Sequence, residues 1–239
     1  MQAEAVLFDL FDTLLLLESS EVYYTPSLRK LHEFLVAQGV DVTFEVFARV
    51  YSEVRDKFYS ESGQSLEEPH FRVRLSQVLH ILGYSFDISD PFFAEATKVF
   101  GGEFMRYVHL DEHAPEVLRK LRGKYKLGLV SNAFIPETVW ELLERFGLKG
   151  FFDVVVISGE INRRKPAPEI FERALKVLGV KASNVVFVGD MVDLDVMGPK
   201  NVGMKTVLIK RRPMDQSLDV KPDRVIDCLS ELLKVLQDC

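Results

Sequence analysis

The chain has 239 residues, 47% hydrophobic and 28% charged, with a formal net charge of -6. That balance supports a buried core and excludes a disordered chain, and the negative charge argues against a general nucleic-acid binder. The length suits one large domain or a core with one insertion.

The first element is the apolar run Ala5-Val6-Leu7-Phe8, which ends at Asp9. Consecutive apolar residues, without alternation, predict a strand buried on both faces of a parallel sheet. Asp9 then falls at the carboxyl end of that strand, where open α/β sheets place their ligands. An Asp that merely starts a turn is the alternative reading of this stretch. The run is preceded by Glu4 and by no Lys or Arg, so it lacks the basic start of a secretory signal, and no apolar stretch reaches membrane-spanning length. Cys228 and Cys239 have no metal-site spacing and point to a reducing compartment. A cytoplasmic protein without membrane attachment is the expectation.

After Leu17 the pattern becomes helical over Pro26 to Gln38, Phe44 to Tyr59, Pro69 to Leu82 and Pro91 to Tyr107. Gly39, Gly63 and Gly83 read as turns, with Pro26, Pro69 and Pro91 near helix starts. Four helices with short connections predict a small antiparallel bundle inserted into the chain. Tyr23 and Tyr24, at its entrance, are candidates for hinge, substrate contact or core packing. From His113 onward helices and strands alternate, which predicts βαβ units and a parallel sheet. Strands are expected at Lys126 to Val130, Asp153 to Ile157, Asn184 to Val188 and Lys205 to Ile209. Helices are expected at Pro115 to Arg122, Pro136 to Phe146, Pro168 to Leu178, Asp195 to Asn201 and Leu229 to Leu236, with a weak strand near Val225.

The strand ends carry the chemistry. Asp9 follows the first strand, Ser131 and Asn132 the second, Ser158 with nearby Lys165 the third, and Gly189 and Asp190 the fourth. Each alone has an ordinary reading as a turn or helix-cap residue. Together they supply a nucleophile, a metal site and charge neutralisation on one rim.

The stretches Asp9-Leu10-Phe11-Asp12-Thr13, Leu127-Gly128-Leu129-Val130-Ser131-Asn132, Lys165-Pro166-Ala167-Pro168-Glu169-Ile170-Phe171, and Val188-Gly189-Asp190 with Asp195 resemble, in order, the four motifs of the haloacid dehalogenase-like hydrolase superfamily. The insertion resembles the helical cap of one branch of it. The resemblance implies an α/β fold: a Rossmann-like parallel-sheet core from residues 1–17 and 109–239, with a helical-bundle cap domain from 18–108. It also implies that Asp9 attacks a phosphate ester and forms an aspartyl intermediate. Thr13 and Ser131 would hydrogen-bond the transferring group, Asn132 would join them at the substrate, and Lys165 would offset charge. Asp9, Asp190 and the main-chain carbonyl of Phe11 would ligate Mg2+, while Asp195 would hold it through water or orient Lys165. The expected partner is a small phosphorylated molecule, and the expected state a monomer or homodimer. Physical chemistry supports the metal independently: a phosphate approaches clustered carboxylates only if a cation neutralises them. The histidines, His32, His70, His80, His109 and His113, show no paired ligand spacing.

Phe11 departs from the phosphatase pattern. Phosphatases of the family carry an Asp there, which protonates the leaving alcohol, and losing such help costs ~10² to 10⁴ in rate. Asp12 is expected to cap the loop and leave that loss unrepaired. The dehalogenase branch has an aromatic residue at the same place, so a metal-free 2-haloacid dehalogenase is a rival reading. Gly189-Asp190 opposes it, since dehalogenases resemble Ser-Ser there. A third reading is a weakly active or non-catalytic binding member. Arg163 and Arg164 precede Lys165 and read either as a solvated pair or as contacts to a substrate anion. Asp193 reads as solvated.

Overall fold

The computed structural model describes residues 3–212 and 219–237; Cys239 and the first two residues of the expected core lie outside them. The chain begins with β1 (Ala5–Phe8) and β2 (Leu15–Leu17), followed by α1 (Ser20–Ala37), α2 (Phe44–Ser65), α3 (Phe71–Ile81) and α4 (Pro91–Phe104). It continues through β3 (Val108–Leu110), α5 (Ala114–Leu121), β4 (Lys126–Ser131), α6 (Pro136–Arg145), β5 (Val154–Ile157) and α7 (Ser158–Ile161). The last part holds α8 (Pro168–Leu178), β6 (Val185–Gly189), α9 (Gly198–Asn201), β7 (Lys205–Ile209), β8 (Arg224–Ile226) and α10 (Leu232–Gln237).

One parallel sheet runs in the order β5-β4-β1-β6-β7-β8. The unbroken apolar run of β1 follows from its central place. Val6 and Phe8 face one apolar cluster with Leu127, Leu129 and Val188, covered by α5, α6 and α10. Ala5 and Leu7 face the other with Val130, Val185 and Phe187, covered by α8. From β1 the chain moves outward through β4 and β5, then returns to the opposite side for β6, β7 and β8. The strand order therefore reverses around β1, and that reversal opens a crevice beyond the carboxyl ends of β1, β4 and β6. The α/β expectation and the inserted helices both hold.

Helices α1 to α4 build a separate aromatic-rich core around Phe47, Tyr51, Phe71 and Phe100. Among the described residues, none of the helices is long and apolar enough to cross a membrane. Several boundaries differ from those predicted, each for a physical reason. Helix α1 starts at Ser20, so Pro26 lies inside it, where a proline costs a backbone hydrogen bond. The two turns ahead of it persist because Tyr23 packs edge-on against Phe104 at 5.2 Å and Tyr24 against Tyr51 at 6.2 Å. Helix α2 runs through Gly63, expected as a turn, and stops at Leu66, whose φ of +55° lies in the left-handed region. The backbone N–H of Arg164 donates to the Leu66 carbonyl at 3.0 Å and holds that conformation.

Strands β2 and β3 and the one-turn helix α7 escaped the sequence reading. Strands β2 and β3 pair antiparallel, Leu15 with Leu110 and Leu17 with Val108, so the helical insertion leaves and re-enters the sheet through one ribbon. Three-residue strands fall below the length at which alternation can be read. The helix expected over Asp195 to Asn201 is instead a π-helical turn, Val192–Met197, leading into α9. Single π turns of this kind are frequent at functional sites.

Candidate active site

The loop after β1 sets the first side chains. Asp9 N–H donates to the Val188 carbonyl at 2.9 Å, extending the ladder one step beyond β1 and fixing the carboxyl group over the crevice. Asp12 has a φ of +55°, a left-handed position that Asp tolerates better than most residues. Its Oδ1 accepts the Leu17 N–H at 3.2 Å, so Asp12 does brace the loop. Thr13 is thereby turned inward and is fully buried.

Ser131 ends β4 and is also fully buried. Asn132, expected at the substrate, spends both ends of its amide on the Lys165 backbone: its Oδ1 accepts the Lys165 N–H at 2.8 Å and its Nδ2 donates to the Lys165 carbonyl at 3.1 Å. Lys165, so placed, donates from Nζ to Asp9 Oδ1 at 2.5 Å and to Asp195 Oδ1 at 2.7 Å. Asp195 comes from the π-helical turn, and its Oδ2 accepts the N–H groups of Asp190 at 3.2 Å and Met191 at 3.0 Å. Of its two expected tasks, this geometry serves the orientation of Lys165. Residue 189 must be Gly, since a Cβ there would overlap the Asp195 carboxyl group.

Oxygens of Asp9, Asp190 and Asp195 lie within 4.8 Å of one another, all buried. Burial pushes the Asp9 carboxyl up to about 7, against the pull of Lys165 and with the help of Asp195 and Asp190. Burial and the charge of Asp195 raise Asp190 to about 6, opposed by Arg212. Burial also works against the Lys165 ammonium, but Asp195 and Asp9 outweigh it and hold Lys165 above the ordinary lysine range. Three buried carboxylates thus share one buried ammonium. The excess negative charge and the all-oxygen donor set fit a hard divalent cation. Arg212, half exposed, meets part of that excess by bridging Asp190 Oδ2 at 2.8 Å and Asp12 Oδ2 at 2.6 Å.

Among the described residues, the Thr13 and Ser131 hydroxyls have no hydrogen-bond partner. A buried polar group left unpaired costs ~1–3 kcal/mol, which makes both hydroxyls candidates to donate to a ligand. Phe11 sits half-buried, its ring edge-on to Phe104 at 5.9 Å, and presents no proton-transferring group.

Beside this rim, between the sheet and the insertion, lies a cavity of about 200 Å³ lined by Phe11, Tyr23, Tyr24, Arg74, Asn132 and Phe134, among others. Tyr23 and Tyr24 therefore both pack and face the crevice. The volume falls below the ~300–1,000 Å³ of clefts that hold drug-sized ligands, so it suits a small metabolite. Arg74 is only 2% exposed. Its signal was present in the sequence: it interrupts the apolar stripe of α3 formed by Phe71, Leu75 and Val78. Arg212 was also missed. It follows β7 in a Lys-Arg-Arg run at the same rim as the other strand ends.

Arg163 and Arg164 contact acids of the insertion and, for Arg163, of α8. Arg163 pairs with Glu67 at 3.3 Å and Glu169 at 3.4 Å, and Arg164 with the buried Glu68 at 3.5 Å. Ser158 Oγ accepts the Ala133 N–H at 2.8 Å and donates to Glu68 at 3.5 Å, so this strand-end hydroxyl joins the same strap. Asp193, expected to be solvated, is half-buried beside the site.

A parallel sheet with a carboxylate, an ammonium and two unpartnered hydroxyls at its switch point defines an α/β enzyme with an anion-handling crevice. A family model described as a haloacid dehalogenase-like hydrolase matches residues 3–203, and the chain belongs to that family. It is 32% identical to a glyceraldehyde 3-phosphate phosphatase from Methanopyrus kandleri, over 98% of this chain and 97% of that one. Among solved structures it resembles a 2-haloacid dehalogenase from Pseudomonas syringae pv. Tomato, with a TM-score of 0.76, 26% identity and 98% of each chain covered. It also resembles a haloacid dehalogenase-like phosphatase from Thermococcus onnurineus, with a TM-score of 0.64, 27% identity, and 98% and 97% of the two chains covered.

Proposed function

We propose that this chain is a Mg2+-dependent phosphatase of a small phosphorylated metabolite, acting through an aspartyl-phosphate on Asp9. The observation that carries this reading is the joint geometry of the rim: three clustered carboxylates with one ammonium, beside two buried hydroxyls that lack partners. A dehalogenase, which displaces halide from carbon without a metal, has no use for Asp190 beside its nucleophile. The phosphatase name of the full-length relative supports the same reading.

In the first step an Asp9 oxygen attacks phosphorus and the ester P–O bond breaks. Thr13 and Ser131 donate hydrogen bonds to phosphoryl oxygens. Lys165, oriented by Asp195 and by Asn132 on its backbone, offsets charge on Asp9 and the substrate. The leaving oxygen takes its proton from water, because Phe11 has none to give. Water then attacks the aspartyl-phosphate, releasing inorganic phosphate and restoring the Asp9 carboxylate. Bound Mg2+ would be held by Asp9, Asp190 and the Phe11 carbonyl, with Asp195 reaching it through water, and would supply the charge neutralisation that lets a phosphate dianion approach.

Residues 18–108 would form the cap domain over a core of 1–17 and 109–239, and closure of that cap would exclude bulk water during transfer. The protein would work in the cytoplasm as a monomer or homodimer, on small molecules and not on nucleic acid or membranes. The test is phosphate release from an aryl phosphate, with Mg2+ and with chelator, run beside chloride release from 2-chloropropionate. Mg2+-dependent phosphate release is expected, with aryl phosphates turned over faster than alkyl phosphates by ~10² or more, since aryl leaving groups need no proton. Equal rates for both esters would refute the role given to Phe11, and chloride release alone would establish the dehalogenase.

A further inference from the structure

The wall of the cavity on the insertion side carries a charge that no ion pair among the described residues answers. Arg74 is 2% exposed, yet among the described residues no carboxylate lies within ion-pair distance of it, and its Nε has no hydrogen-bond partner. Glu68 feels its field, but the ion partner of Glu68 is Arg164. Aromatic rings cover the guanidinium instead: its centre lies 4.4 Å from the Phe134 ring, 5.3 Å from Tyr59 and 5.7 Å from Phe58. Rings stabilise the faces of a guanidinium, but its N–H bonds lie in its own plane and still need acceptors. The Tyr24 hydroxyl, on the same cavity, is buried beside the Arg55 guanidinium and makes no well-aligned hydrogen bond among the described residues. A buried cation persists only where an anion or strong acceptor completes it.

We infer that Arg74 and Tyr24 form a second anion subsite, which selects phosphate monoesters carrying a carboxylate at the end remote from the phosphate. The inference rests on the phosphatase reading, which places the phosphate at Asp9, Thr13 and Ser131. The small, aromatic-walled space between the two poles takes a short apolar or planar body. A carboxylate at the far pole accepts from the Arg74 guanidinium and the Tyr24 O–H, satisfying groups that water cannot easily reach. Arg74 and Tyr24 are specificity-determining residues and take no part in the transfer itself.

Calorimetric binding of non-hydrolysable probes in the presence of Mg2+ tests this without relying on turnover. Phosphonoacetate, phosphonopropionate and phosphonobutyrate are each compared with the alkylphosphonate of matching length. At least one carboxylated probe is expected to bind ~10- to 100-fold tighter than its partner, the range set by hydrogen bonds to a charged group. Arg74→Met should abolish that gap, Arg74→Lys should retain part of it, and Tyr24→Phe should narrow it. Tyr24→Phe removes a single hydroxyl and keeps the ring packing, so it remains informative if Arg74→Met does not fold. Equal affinity of the paired probes for the wild-type protein overturns the subsite alone, as does a gap that survives both Arg74→Met and Tyr24→Phe. Failure of every phosphonate to bind overturns the phosphatase reading and the subsite together.

Discussion

The two ends of the crevice treat charge in opposite ways. At the sheet rim, Lys165 touches two carboxylates, Asp195 is held by backbone N–H groups, and Arg212 reaches Asp190. At the wall contributed by α3, Arg74 has rings around it and, among the described residues, no carboxylate within ion-pair distance. The rim is organised by the protein itself and, on the proposed function, serves the reaction; the wall is left incomplete and, on the proposed subsite, serves the choice of ligand. The residues proposed to act on every substrate sit at strand ends fixed by the sheet, whereas the group proposed for discrimination sits on a helix inserted from outside it.

Removing the rim's central cation breaks this contrast most severely. Lys165→Met leaves Asp9 and Asp195 without their common partner, and phosphate release should fall by ~10² or more. The variant should also lose ~3–5 kcal/mol of unfolding free energy at neutral pH, measured by denaturant titration, because one half of a buried pair remains. Unchanged stability would mean that the rim charges are not interdependent.

A smaller effect comes from titrating the rim. With their folded-state values raised to about 7 and about 6 from 3.8, Asp9 and Asp190 bind more protons folded than unfolded between about pH 4 and 7. Stability contributed by the protonated forms is therefore lost as pH rises through that window. The groups that face them are Lys165, Asp195, Arg212 and Asp12. In chelator, the melting temperature should decline from pH 4 to 7, and added Mg2+ should recover it more at pH 7 than at pH 5. A Mg2+ response that is independent of pH would contradict the shared charge. The smallest effect is expected outside both ends, at the partly exposed Arg163. Arg163→Ala should change unfolding free energy by less than ~1 kcal/mol, and a larger loss would make the strap to Glu67 a structural necessity.

The sequence disclosed the sheet because buried parallel strands leave unbroken apolar runs, and the ends of β1, β4 and β6 mark the rim in plain view. Asp9, Lys165, Asp190 and Asp195 lie together at that rim, and Thr13 and Ser131 are buried at the ends of neighbouring segments. What stayed hidden depended on contacts distant in sequence. Helix α1 passes through Pro26 because aromatic packing outweighs a local breaker. The ribbon of β2 and β3 joins segments about ninety residues apart and has no pattern of its own. Arg74 was visible as a charge on an apolar stripe, but only the fold shows that the stripe borders the crevice. Asn132 lines the cavity and also pins the backbone of Lys165, a task that no motif spells out.

The ribbon has a consequence for how such a chain can be rebuilt. Leu17 and Val108 oppose one another directly, so the two ends of the inserted segment emerge about 5 Å apart. Sheet geometry is then indifferent to the size of what hangs between them. A tight Asn-Gly turn would close β2 onto β3 as an ordinary hairpin, and a different helical module could be grafted at the same two positions without disturbing the register of a single core strand. The selectivity of the crevice is, in that sense, a detachable part.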